Sequence, residues 1–501
     1  MQSHDKYYGK GGILKDSAQE ILINTAYKYD TQEYDFLLKE LNYVDLAYAI
    51  MLIEQNIIPE NDGKVLLKGL LQVKESIDSG QFDKESILGD IYNLKTAMLE
   101  EKIGDIAGWI HIGRARREAI NMAFLMHTKK DILDLLRVLT RLIQEIVKKA
   151  KESIDVVMPD YTYLQHAQPT RFSHYILTFV YPMLRDIERL LQCYDHFDCS
   201  PGGSGSVNGT TLPIDRERLK VLLKFSHIAY HTRDAMWQVD IPIEAASSIT
   251  MMMTNISRFT EELLIWNSTE FNLVQFPDSL CRASVIMPQK RNPYPLAYIR
   301  GIAGKTIGLV SNFASYGKVI SGSPDNRIFI YADLPNALKM CNGALTLFTT
   351  VIHDMQINDQ QMRKYAEDDF IYATDLADYL SYHFSIPYKQ SHKVVGKVIR
   401  TLIESHAHPS DITVQLLNDA LIDIVGHSID IDDQTLAKII NLDRMLDARK
   451  TPGAASQKEV ELMIDSIESS LEEYNNKIES KINALNYDDL IELAKKRSQS
   501  L

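Results

Sequence analysis

The chain reads as all-α, and three observations carry that reading. Apolar residues recur every three or four positions over long windows: Ile132, Leu135, Leu139, Leu142 and Ile146 form one stripe, Met252, Ile256, Phe259, Leu263 and Trp266 another. That spacing places side chains on one face of a helix. Each stripe continues for about four turns or more, the length of a bundle helix rather than a connector. The 501 residues also hold only 23 Gly and 16 Pro and no low-complexity tract, which favours long regular elements. The stripes are core positions between helices, not a cofactor slot.

Breakers divide the pattern in order. They fall at Pro159, at Pro201-Gly202-Gly203, at Asp278, and across Ser321-Gly322-Ser323-Pro324-Asp325. Pro182 lies inside an otherwise helical stretch and predicts a kink or break there. The pattern shifts again at Pro387 and Pro409, and a Lys- and Glu-rich tail, Lys458 to Lys496, reads as a solvated amphipathic face.

Composition limits the function classes. The length suits two to four units, and 45% hydrophobic content is ample for a large core. A formal charge of −13 argues against nucleic-acid or anionic-membrane partners. The four cysteines, Cys193, Cys199, Cys281 and Cys341, predict reduced thiols rather than a disulfide frame, and lack the spacing of a zinc site. No apolar run approaches the ~18 residues of a membrane span, and no signal-peptide pattern opens the chain. A cytoplasmic protein is the expectation.

Chemistry concentrates in Ser284-Val285-Ile286-Met287-Pro288-Gln289-Lys290-Arg291-Asn292-Pro293, where a hydroxyl, an ammonium and a carboxamide share one short span. From composition alone a polar interhelical loop is the commoner reading. Elimination next to a carboxylate, the reaction implied by the resemblance given below, takes a proton from a weakly acidic carbon while charge builds on the carboxylate. It needs a base, fixed positive charge and an acid for the departing atom. Ser284 serves as base only if N–H dipoles and a cation stabilise its alkoxide. Lys290 supplies the cation, and Asn292 offers an amide donor to a carboxylate oxygen. Pro288 and Pro293 stiffen the span and limit the entropy lost on closing over a substrate.

This string resembles the signature loop of the fumarase/aspartase superfamily, and four further segments resemble argininosuccinate lyases in order and spacing. His111-Ile112-Gly113-Arg114-Ala115-Arg116 is similar to the family's HTGRSR run. Thr162-Tyr163-Leu164-Gln165-His166-Ala167-Gln168-Pro169 is similar to THLQRAQP. Gly203-Ser204-Gly205-Ser206, with Pro213-Ile214-Asp215-Arg216-Glu217 after it, resembles GSGALAG and its DRE tail. Ala373-Thr374-Asp375-Leu376-Ala377-Asp378-Tyr379-Leu380 resembles ATDLADYL. Together they span roughly residues 90 to 456. The resemblance implies the three-domain fumarase/aspartase-like fold with a long central bundle, divided here at 1–112, 113–362 and 363–501, with the signature loop at 281–293. It also implies a homotetramer whose active sites draw three chain regions from different subunits, a small substrate bearing a dicarboxylate, and no cofactor or metal.

Several positions depart from the family. Its THLQ histidine falls on Tyr163 and the glutamate partnering that histidine on Ala297, so an oriented acid–base pair is lost at both ends. His166 stands where the family carries Arg, which leaves Tyr163 and His166 as alternative acids. The EDIHTANE run reads Gly89-Asp90-Ile91-Tyr92-Asn93-Leu94-Lys95-Thr96, and RSRNDQ reads Arg114-Ala115-Arg116-Arg117-Glu118-Ala119. Ala283 and Val285 flank Ser284 in place of Gly and Ser. The stretch Pro324 to Tyr331 matches only loosely the family's tyrosine-containing segment. Arg114, Arg116, Thr162, Gln165, Ser284, Lys290 and Asn292 are retained and suit the fumarate half of a substrate, since arginine's planar fork binds carboxylates bidentately. For the two arginines, interdomain ion pairs are the other reading. A C–N lyase eliminating fumarate from argininosuccinate or a related N-succinyl amine is therefore expected. The alternatives are a superfamily lyase or cycloisomerase on another substrate, or a non-catalytic scaffold.

Overall fold

Long helices dominate the computed structural model, which describes residues 18–82 and 89–499 together with Ile13 and Asp16. Helices α1 (Leu38–Glu54), α2 (Glu60–Asp78) and α3 (Ile91–Ile103) form an N-terminal group. The middle of α1 is buried on every side, packed between α2, α3 and the bundle. That is why its sequence is apolar all round instead of striped.

The bundle begins with α4 (Arg116–Glu152), about 55 Å long at the helical rise. Its predicted stripe from Ile132 to Ile146 is fully buried. Each such side chain contributes about 1.5–3 kcal/mol on leaving water, and truncating one such as Leu139→Ala costs about 2–5 kcal/mol. Two short strands follow, β1 (Val157–Thr162) and β2 (Gln165–Arg171), paired antiparallel with Pro159 opposite Pro169. Prolines have no N–H for a ladder, so this proline-rich stretch forms an isolated two-stranded arm rather than helix or broad sheet.

Helix α5 (Phe172–Leu177) then gives way to α6 (Val180–Phe197). The break expected at Pro182 falls just ahead of it, at Thr178 and Phe179. Within the first turn the proline's missing N–H costs nothing, whereas its ring would clash with the Thr178 carbonyl in a continuous helix. Helix α7 (Asp240–Trp266) buries the second predicted stripe against α6. Phe259 stacks on Phe179 with centroids 4.2 Å apart and meets Phe348 edge-on at 5.4 Å. The signature loop is closed by β3 (Arg282–Ala283) and β4 (Arg291–Asn292). Helices α8 (Tyr294–Gly317) and α9 (Ile330–Asp354) complete the bundle against α7 and α4 respectively.

A second apolar core lies beyond α9. It gathers buried residues from Ala366 to Ala455 on α10 (Asp359–Glu367), α11 (Ala373–Phe384), α12 (Tyr388–Glu404), α13 (Val414–Val425), α14 (Asp433–Ile439) and α15 (Leu442–Asp447), and draws in Val157 from β1. The last helices, α16 (Gln457–Ala484) and α17 (Asp488–Gln499), leave this core and return to the first. Val460, Ile464, Ile467, Leu471 and Ile478 pack on the bundle, while α17 lies against α1 and α2. The tail is amphipathic as expected, but only its outer face is solvated. Arg137 holds its inner edge by paired hydrogen bonds of 2.8 and 2.6 Å to Glu479.

Candidate active site

The signature loop is an exposed hairpin held shut from within. The Asn292 side-chain amide donates to the Arg282 carbonyl at 2.8 Å. At its base Arg291 donates to the Phe276 carbonyl at 2.9 Å and pairs with Asp278 at 2.8 Å. Two turns shape the tip. The Met287 N–H donates to the Ser284 hydroxyl oxygen at 3.2 Å, and the Lys290 N–H donates to the Met287 carbonyl at 3.0 Å. The second turn has Pro288 at its i+1 position, where a fixed φ is favourable. Ser284 thus already accepts one backbone N–H, the kind of dipole an alkoxide requires. Lys290 and Asn292 line a polar cleft of about 780 Å³ together with Asn267, Glu270, Asn272 and Gln275; Ser284 lies outside its wall. Val285 and Ile286 beside it are almost wholly exposed.

The β1–β2 arm carries the second group of candidates. Thr162 pairs with Gln165, so Tyr163 and Leu164 form a two-residue turn in which both have φ of +56°. That turn normally takes Asn-Gly, and a side chain in the left-handed region costs about 1–2 kcal/mol per residue. The Tyr163 side chain makes no packing contact to offset the strain among the described residues, being 100% exposed. Thr162 and Gln165 are exposed as well. His166 is different. Its Nδ1 lies 2.8 Å from Asp369 Oδ2, and its ring packs between Tyr161 (edge-on, 5.2 Å) and Tyr365 (5.8 Å). The hydrogen bond from His166 holds the Asp369 carboxyl below its ordinary range. Tyr365 in turn donates to the carbonyl of Glu270, one of the residues that line the cleft, at 2.6 Å.

The third group is a basic corner built by α3, the start of α4 and the loop around Gly203. Arg114 donates to Asp45 at 2.6 Å, and Lys95 pairs with the same carboxylate. The Arg114 guanidinium sits 4.4 Å above the Tyr48 ring with no exposed surface. Burial, then the charge of Arg114, pushes the Lys95 ammonium well down; the same two causes lower His111. Arg116 is 46% exposed and meets Asp90 at 3.0 Å, whose other oxygen caps α3 through the Asn93 N–H at 2.9 Å. Burial raises the Glu118 carboxyl to about 7 although it accepts the Gly203 N–H at 2.7 Å. Among the described residues, this corner shares no hydrogen bond or ion pair with the arm or the signature loop. The structure therefore brings Lys290 and Asn292 to one cleft, and places neither His166 nor Arg114 and Arg116 in its wall.

Asp369 and Asp45 were not legible beforehand. Their partners lie 203 and 69 positions away, and nothing local marks them out among 67 acidic residues. Among the described residues no cluster of His, Cys, Asp or Glu is placed to hold a metal, and no helix is long and apolar enough to cross a membrane.

Comparison with known proteins agrees on the scaffold. A family model described as lyase matches residues 25–308, and one for the argininosuccinate lyase C-terminal region matches residues 370–447. The argininosuccinate lyase of Sulfurihydrogenibium sp. is 34% identical over 430 residues, covering 84% of this chain and 91% of its own. The chain belongs to the argininosuccinate lyase family. The argininosuccinate lyase of Citrifermentans bemidjiense is likewise 34% identical, over 72% of this chain and 79% of its own. Among solved structures, EDDS lyase in complex with formate superposes with a TM-score of 0.84 at 23% identity, covering 97% and 96% of the two chains. The β-carboxy-cis,cis-muconate cycloisomerase of Acinetobacter calcoaceticus gives 0.68 at 16% identity, over 90% and 100%. These likenesses establish the fumarase/aspartase fold, and the family is one of lyases.

Within this lyase family the departures acquire places. Ala297, at the lost glutamate, is exposed on the first turn of α8. Tyr331 is buried edge-on against Tyr34, with centroids 5.8 Å apart, and is part of the core rather than an exposed binding group.

Proposed function

We propose that this chain is a C–N lyase that eliminates fumarate from an N-succinyl amine, argininosuccinate or a related compound such as EDDS. The observation that carries the reading is the signature loop: Ser284 accepting a backbone N–H, with Lys290 and Asn292 lining the adjoining polar cleft. Ser284, as alkoxide, takes the proton between the two carboxylates. Lys290 and Asn292 stabilise the charge that builds on the carboxylate, where fixed donors act more strongly than in water. The arm supplies the acid, from Tyr163 or His166, and Thr162, Gln165 and the half-exposed Arg116 serve the substrate's carboxylates.

The complete site is formed between copies of the chain in a homotetramer. The bare Tyr163, Val285 and Ile286 side chains are the surfaces a neighbouring copy would cover. The test is ultraviolet detection of fumarate when purified protein meets argininosuccinate, with Ser284→Ala as control. Release by the wild type alone supports the reading. Silence with argininosuccinate but release from EDDS keeps the elimination and moves the amine. Silence with both from a folded tetramer sinks it.

A further inference from the structure

We propose that His166 is the proton carrier of the arm and that Asp369 is its positioning residue. Together they rebuild, from a remote part of the chain, the imidazole–carboxylate pair removed by Tyr163 and Ala297. The inference rests on the fumarate-releasing reading above.

The geometry favours His166 over Tyr163. The arm's register sets His166 opposite Tyr161, in a half-buried position, while Tyr163 stands beyond it on a strained and wholly exposed turn. Asp369 is itself fixed, because its second oxygen accepts the Phe370 N–H at 2.7 Å. The groups packed against the imidazole are Tyr161, Tyr365 and Asp369. Burial pushes the Tyr161 phenol far above its usual range, so it stays neutral. Its hydroxyl is buried without a hydrogen-bond partner among the described residues. Asp369 is thus the charged group that faces His166.

The pairing selects a tautomer. Nδ1–H donates to the Asp369 carboxylate in both charge states, so the proton gained and lost belongs to Nε2. Nε2 has no hydrogen-bond partner among the described residues. In the elimination, the Ser284 oxygen bonds the hydrogen leaving carbon and the C–H electron pair becomes the double bond. The C–N bond breaks towards nitrogen, and the Nε2–H bond breaks to deliver its proton there. Between turnovers Ser284 returns one proton to water and His166 takes one up, so none is consumed. The Asp369 carboxylate stabilises the imidazolium before transfer.

The experiment measures kcat and KM with argininosuccinate and with EDDS, and the melting temperature. The variants are Ser284→Ala, Tyr163→Phe, His166→Ala, Asp369→Asn, Asp369→Glu and the double variant His166→Ala/Asp369→Ala. Asp369→Asn is expected to lower kcat about 10- to 100-fold with little change in KM. The loss should fall on kcat and leave the melting temperature nearly unchanged. Asp369→Glu should recover part of the loss, and the double variant should be no worse than His166→Ala. A simple tether would lower the melting temperature and leave kcat in place, which overturns the proposal. So would His166→Ala retaining full activity while Tyr163→Phe loses it. Ser284→Ala as active as the wild type, or no fumarate from the wild type with either probe, removes the lyase reading itself and the pair's role with it. Activity that depends on Ser284 but not on Asp369 removes the pair alone.

Discussion

The basic corner and the signature loop use the same kinds of side chain in opposite physical states. In the corner, Arg114 and Lys95 converge on one buried carboxylate, so that little of either cation meets water. In the loop, Lys290 is exposed and ion-pairs with no carboxylate among the described residues, and Ser284 accepts a single N–H. A desolvated charge is stabilising only while its partner remains, so the corner is committed to holding the chain together. The Asn292 and Arg291 side chains are spent on closing the loop, whereas the Lys290 ammonium is not paired among the described residues and can be directed at a ligand. A functional arginine retained in sequence can therefore be retained for the frame alone.

Four substitutions bear on that contrast, in descending order of effect. Ser284→Ala is expected to lower kcat by about 10²- to 10⁴-fold, the usual contribution of a positioned base, with no change in melting temperature; fumarate absorbance and calorimetry read the two. Asp45→Asn does the reverse. It strands two buried cations and should cost about 3–5 kcal/mol of stability in denaturant titration. A small cost would mean that the corner is not the committed element described here.

Glu118 sharpens the comparison through pH. Burial holds its carboxyl at about 7, above the ordinary 4.5, so the folded chain keeps this proton where the unfolded chain has lost it. Its contribution to stability is then full below the unfolded value and falls away as pH rises through the folded one. Between about pH 5 and 8 the wild type should lose melting temperature relative to Glu118→Gln, which does not titrate. Parallel curves would show that the Glu118 carboxyl is already ionised. The smallest effect is expected at the arm's turn, where Leu164→Gly should stabilise the chain by roughly 0.5–1 kcal/mol by relieving a positive φ. Destabilisation instead would show that the Leu164 side chain is captured by a neighbouring copy.

The bundle and the signature loop were readable because each is written locally. A helical stripe repeats every few residues from Ile132 to Ile146, and the loop's serine, lysine and asparagine lie within one span. The arm is an exception that its own prolines explain, since Pro159 and Pro169 face each other where no ladder bond is needed. What stayed hidden depends on distant pairing. An ion pair was one reading of Arg114, but its partner Asp45 lies on another helix and could not be named. His166 looked like an isolated substitution because Asp369 lies on the distant loop between α10 and α11. The tail from Lys458 was readable as amphipathic, but local sequence could not say that its apolar face packs on the bundle.

That second core is also a detour. The chain departs from the bundle after α9 and rejoins it at α16, so everything between is a loop of the scaffold grown into a body of its own. Such a cassette can be exchanged or lengthened without unthreading the bundle. Because Asp369 rides on it and His166 does not, the partner offered to the imidazole can be altered by changing the cassette alone.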